Sequence, residues 1–180
     1  MAAPVCLISG VGPGTGSALA RRFAEGGYRV GLLARNEERL AALEKQLPNA
    51  KGYRCDVSDP AQVEVVASAV ERDLGNPGVV IHNAVGGAFG TFREIDPAIL
   101  NRNFQVNTMG LLYLARRFAS AMVDAGKGAI IATGIRRHCG ASRALPVSRP
   151  PRRRSGSWRR RLHANWGHKA CTLLMSSSMP

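Results

Sequence analysis

Every acidic residue of this 180-residue chain lies before position 135. Residues 1–134 hold all twelve Asp and Glu and fourteen of the twenty-five Lys and Arg, a net charge of +2. Residues 135–180 hold the other eleven cations and no acid, a net charge of +11. This boundary limits what can fold. The front alternates apolar runs with glycine-punctuated helical periods and is long enough to bury a core by itself. The back is Arg, Ser and Pro with both tryptophans, Trp158 and Trp166, and no sustained period. Such a composition buries too little apolar surface to order itself, so a disordered or irregular basic tail is expected there, not a domain.

The front reads as five strands with helices between them. Val5–Ser9 is an apolar run ending in Gly10, suited to a buried strand. Residues 15–26 follow with Ala18, Leu19, Arg22 and Phe23 at helical spacing, stopped by Gly26-Gly27. Residues 30–34 form a second apolar run, and Asn36 can cap a helix carrying Leu40, Leu43 and Leu47. Residues 51–55 make a weaker third strand. Asp59 precedes Pro60–Leu74, with Pro60 at the first helical position and Val63, Val66 and Val70 along one face. Val79–His82 is a fourth strand, followed by a glycine-rich loop. Asp96 and Pro97 open a long helical stretch that continues through 103–125, and 129–133 is the fifth strand. Near-continuous apolar strands alternating with helices predict a parallel sheet covered on both faces. The expected class is α/β: a doubly wound, Rossmann-type sheet, incomplete, of about five strands in the order 3-2-1-4-5. The leucine and valine stripes are core packing.

The first strand runs into Ser9-Gly10-Val11-Gly12-Pro13-Gly14-Thr15-Gly16, with a helix directly after it. Glycine serves where φ is positive or where backbone must approach a ligand. The N–H groups at the following helix start can seat a pyrophosphate. A tight strand–helix turn needs glycine too, but strand, bend and helix stand in the order a dinucleotide site requires. Where NAD-binding folds place an acid after the second strand, this chain has Ala34-Arg35-Asn36. A guanidinium suits a 2′-phosphate, so NADP(H) is favoured over NAD(H). The alternative reading of Arg35 is a solvated loop cation.

Gly10, Gly14 and Gly16 have the spacing TG-x-x-x-G-x-G of the short-chain dehydrogenase/reductase family, with Ser9 in place of the threonine. Asp56-Val57 resembles the family's D-V pair, whose acid meets the adenine. Asn83-Ala84 resembles its N-A-G, with Val85 for the glycine, and Val106-Asn107 with Gly110 resembles its V-N-x-x-G. The resemblance covers residues 1–134. It implies oxidation or reduction of an unidentified alcohol/carbonyl pair, a small-molecule substrate and commonly a homo-oligomer. Gly10, Gly14, Thr15 and Gly16 would seat the pyrophosphate; Arg35, Asp56, Val57, Asn83 and Ala84 would line the adenosine side. Asn107 would hold a water of the proton relay, and is the one catalytic position that carries over. Plainer readings stand beside these: a turn acid at Asp56, strand-end hydrogen bonding by Asn83, a satisfied core amide at Asn107. His82 reads as a core histidine.

The family's Tyr-x-x-x-Lys lies beyond the fifth strand. Here the tyrosines are Tyr28, Tyr53 and Tyr113, and none has lysine four residues on. The proton donor is absent on this reading, and the chain is expected to be inactive. In a neighbouring reading frame the tail can be written as an amphipathic helix with acids, a Gly-Pro stop and a strand start, with phenylalanine four residues before its lysine. A frameshifted tail would leave the fifth strand as an exposed edge. A non-catalytic dinucleotide-binding remnant or sensor is the alternative reading. Arg152–Arg154 and Arg159–Arg161 around Trp158 could neutralise phosphates and stack on a base, but charge runs are usually solvated, so no evolved nucleic-acid partner is expected. His138, Cys139, His163, His168 and Cys171 suit zinc by type but have no compact ligand spacing, so no metal is expected. Four dispersed cysteines and no charged, apolar leader favour a reducing, cytoplasmic setting without a membrane anchor.

Overall fold

The computed structural model describes residues 3–87, 91, 93–134 and 171–176. The apolar runs become strands β1 (Val5–Ser9), β2 (Arg29–Ala34), β3 (Ala50–Arg54), β4 (Val79–His82) and β5 (Ala129–Gly134). They pair in parallel in the order β3-β2-β1-β4-β5. The connections are helices α1 (Thr15–Glu25), α2 (Glu37–Gln46), α3 (Pro60–Leu74), α4 (Pro97–Phe104) and α5 (Gly110–Asp124). The tail calls for one correction. Cys171–Ser176 forms β6, antiparallel to β5, so the sheet has six strands and the outer edge of β5 is paired. The physical reason is that β5 offers an unmatched row of backbone N–H and C=O groups, and Cys171–Ser176 is a charge-free stretch of the tail. Residues 135–170, with the arginine clusters and His138, Cys139, His163 and His168, lie outside the described residues.

Side chains alternate across the strands and divide the core in two. Cys6 and Ile8 of β1 face α1 and α2 with Val30, Leu32, Leu40 and Leu43. Val5 and Leu7 face α3 and α5 with Val63, Val70, Leu114 and Phe118. The helix starts follow the capping chemistry. Asn36 accepts from Arg39 N at 2.8 Å, Asp59 from Ala61 N at 2.9 Å, and Asp96 from Ala98 N at 2.8 Å. Arg117 of α5 grips Glu71 of α3 bidentately at 2.7 and 2.6 Å and reaches Glu64 at 3.0 Å, which sets the two helices side by side.

The long helical stretch is continuous but not uniform, for Gln105–Met109 between α4 and α5 is a π turn. Below it lies His82, 3% exposed. Its Nδ1 is 2.9 Å from Ser9 Oγ and its Nε2 is 3.1 Å from Val106 O. A carbonyl can only accept, so the proton sits on Nε2 and Ser9 donates to Nδ1. His82 is thus a satisfied core histidine that joins β1, β4 and the π turn. Burial holds its pKa below the ordinary value, against the opposing hydrogen bond to Val106.

Phe118 is 1% exposed, and Phe118→Ala should cost about 3–5 kcal/mol in chemical denaturation. The lowered His82 pKa gives a signed pH effect. The unfolded chain binds the His82 proton more readily, so this contribution is complete above pH about 6.5 and is lost as pH falls below it. Denaturation midpoints measured from pH 8 to 5 should decline over that window, and the decline should flatten in His82→Gln; an unchanged slope would assign it to other groups.

Candidate nucleotide site

The site forms where the carboxyl ends of β1, β2, β4 and β5 open beneath α4. Gly10 has φ +74°, and a β-carbon there would collide with the backbone of Ala84. The bend is pinned from two sides. Gly10 N and Val11 N donate to Leu33 O at 2.9 and 3.1 Å, and Gly10 O accepts from Asn83 Nδ2 at 2.8 Å. A β-carbon on Gly16 would lie 2.7 Å from Gly10 O, so α1 can start against its own turn only with glycine there. Gly12 and Gly14 have nothing within 4 Å of a β-carbon position. Gly14 is the N-cap of α1, without a side-chain cap, and the first turn holds no acid. An open, uncapped helix start with positive dipole character fits a phosphate group.

A cavity of about 840 Å³ opens beside this bend, a size suited to a cofactor. Gly10, Thr15, Gly16, Arg35, Asp56, Val57, Asn83 and Ala84 all line it. Gly14 and Asn107 do not border it. Asn83 is engaged at both ends of its amide: Nδ2 donates to Gly10 O and Oδ1 accepts from Thr133 Oγ1 at 2.7 Å, while its backbone N–H donates to Ser9 O at 3.0 Å. Asp56 accepts from Ser58 N at 3.0 Å and Ser58 Oγ at 2.6 Å. The Ser58 hydroxyl holds its carboxyl below the usual range, against partial burial, and Arg35 and Arg102 add to the effect. Cys55, on the cavity floor, has its thiol pushed up to about 11, first by burial and then by the charges of Asp56 and Asp59, so it stays protonated at neutral pH.

Arg39, Arg102 and Thr133 are among the lining residues that sequence reasoning did not assign to the site. Arg39 stands in the first turn of α2, four residues after Arg35 and close to the end of β2, a position that could have marked it. Arg102 arrives from α4, far along the chain, with no local pattern to announce it. Asn107 lies in the π turn, and its amide clamps one residue of the loop after β4. Its Oδ1 accepts from Gly86 N at 2.7 Å and its Nδ2 donates to Gly86 O at 3.0 Å. Gly110 lets α5 settle onto Val57 and His82, where a β-carbon would sit 3.0 Å from Val57 O.

The family model described as "short chain dehydrogenase" matches residues 4–135. The NADP-dependent 3-hydroxy acid dehydrogenase YdfG of Salmonella typhi is 30% identical over 133 residues, 72% of this chain and 53% of that protein. A metagenomic short-chain oxidoreductase solved in complex with NADP superposes with a TM-score of 0.69 at 32% identity, covering 73% of this chain and 62% of its own. A short-chain dehydrogenase from Streptomyces avermitilis gives 0.68 at 30% identity, covering 72% and 48%. The chain spans about half the length of the curated relatives it matches. No described helix is long and apolar enough to cross a membrane. The glycine bend, the sheet order and the matched segment, which exceeds half of the sequence, agree: this chain belongs to the short-chain dehydrogenase/reductase family.

Proposed function

We propose that residues 1–134 are the dinucleotide-binding domain of an NADP(H)-dependent oxidoreductase for an alcohol/carbonyl pair, and that this chain binds the cofactor without turning over a substrate. The carrying observation is the cavity itself: an uncapped helix start at one side, two guanidiniums from Arg35 and Arg39 at the other, and no acid at the end of β2. The bend 10–16 seats the pyrophosphate on the N–H groups of α1. Arg35, with Arg39 in the first turn of α2, takes the 2′-phosphate as a charge-assisted partner. Asp56 stays ionised and accepts from the adenine amino group, and Val57 packs beside it. Asn83 and Ala84 shape the strand end beneath the ribose. Bound NADPH would supply the hydride; the protein supplies position.

Proton transfer is the missing half. Among the described residues no tyrosine lines the cavity, and Tyr53 is committed to Asp73 at 3.2 Å. Both ring nitrogens of His82 are engaged within the core. Asn107, the carried-over relay position, acts here by holding the Gly86 loop against the π turn. The reading therefore places 135–180 outside the working domain and makes the chain a cofactor-holding remnant of its family's reaction.

Fluorescence titration should show tighter binding of NADPH than of NADH. Arg35→Ala should weaken NADPH by about ten- to hundredfold while leaving NADH nearly unchanged. A panel of aldehydes and ketones should show no turnover with either cofactor. Equal affinity for the two cofactors would remove the 2′-phosphate assignment, and measurable turnover would remove the claim that proton transfer is missing.

A further inference from the structure

We propose that Arg102 is the opposing jaw of the nucleotide site, its guanidinium lying against the adenine from α4 and gripping any adenosine nucleotide regardless of a 2′-phosphate. The inference rests on the dinucleotide reading above and assigns a residue to the side of the cleft that the sequence motifs leave bare.

Helix α4 shows the cleft a single face. Ile99, Arg102 and Asn103 of α4 line the cavity at i, i+3 and i+4, with Val106 of the π turn beside them. Arg102 is exposed and borders the open cleft, so its guanidinium is accessible to a ligand there. Its point of attachment is held by the backbone. Asn107 clamps the Gly86 peptide with both ends of its amide, and the Asn103 side chain fills the space a Gly86 β-carbon would need. The register of α4 over the loop after β4 is thus held, and with it the point on the helix from which Arg102 extends.

Arg35, just after β2, and Arg102, on α4, line the same cavity from different elements, and the charge of each lowers the pKa of Asp56. If Asp56 takes the edge of the adenine, the neighbouring planar cation on α4 meets its face. Guanidinium stacking on a base is sequence-tolerant and needs no phosphate. Arg35 and Arg39 occupy the ribose side. The division of labour follows from these positions: one pair discriminates the 2′-phosphate, and Arg102 supplies grip common to all adenosine ligands.

The test compares NADPH, NADH and ADP against the unaltered chain, Arg102→Ala and Arg35→Ala by calorimetry or fluorescence. Arg102→Ala should weaken all three ligands by a common factor of about three to ten, while Arg35→Ala weakens NADPH alone. Arg102 is solvent-exposed, so both variants should melt like the unaltered chain. Arg102→Lys, which keeps the charge and loses the flat face, should retain only part of the grip. A loss confined to NADPH would make Arg102 a phosphate contact and overturn the proposal, as would unchanged binding of all three. Failure of the unaltered chain to bind any nucleotide would overturn the dinucleotide reading and this inference together.

Discussion

The amide of Asn83 holds three strand ends in one arrangement. Its Nδ2 donates to the carbonyl of Gly10 after β1, its Oδ1 accepts from Thr133 at the end of β5, and its own position ends β4. No other residue type of that size offers a donor and an acceptor in one plane. Replacing it by an apolar residue would leave a carbonyl and a hydroxyl without partners, at a cost of about 1–3 kcal/mol for each group that stays buried. The bend that faces the cavity is tied to the β4 end twice: Gly10 lies against the Ala84 backbone, and its carbonyl accepts from Asn83. The same residue borders the cavity, so the bonds that join the strand ends also shape its wall.

The roof depends on a different device. A π turn inside an otherwise regular helical stretch lets Val106 O meet the buried His82 and lets Asn107 clasp Gly86. Such bulges recur at functional sites because they redirect side chains without breaking the helix. The result is a cleft with a basic rim. Arg35 and Arg39 line it from beside the end of β2 and Arg102 from α4, with the ionised Asp56 in the same cavity. That distribution favours an anionic ligand which also presents a hydrogen-bond donor.

The sheet shows where the fold is strongest. β1 is buried along its whole length, with helices on both faces, whereas every residue of β5 is half-exposed. Ile130 and Ile131 touch opposite cores but close neither. Pairing with β6 satisfies the backbone edge of β5. An antiparallel neighbour on an otherwise parallel sheet is a common edge arrangement. Covering the faces of a strand is a separate task from pairing its edge, and the half-exposure of β5 reflects that difference.

Much of this was readable from local chemistry. Apolar runs, Asn36, Asp59 and Asp96 as caps, and the glycine bend are short-range features, so strands and helix starts followed from residues that meet their partners within a few positions, and the strand order followed from the right-handed crossovers that alternating strands and helices impose. The same holds for Arg35, which a β2 end places by itself, and for His82 as a core residue. What sequence could not supply were the meetings across distance: Arg102 reaching Asp56, Asn107 closing on Gly86, Thr133 completing Asn83, and Cys171–Ser176 joining β5. Each needs two segments far apart in the chain to be brought within hydrogen-bond or Coulomb range by packing. The chain alone determined that a nucleotide-type bend would form; the tertiary fold decided which side chains surround it, because a hydrogen bond or a charge pair exists only where packing has set its two ends together.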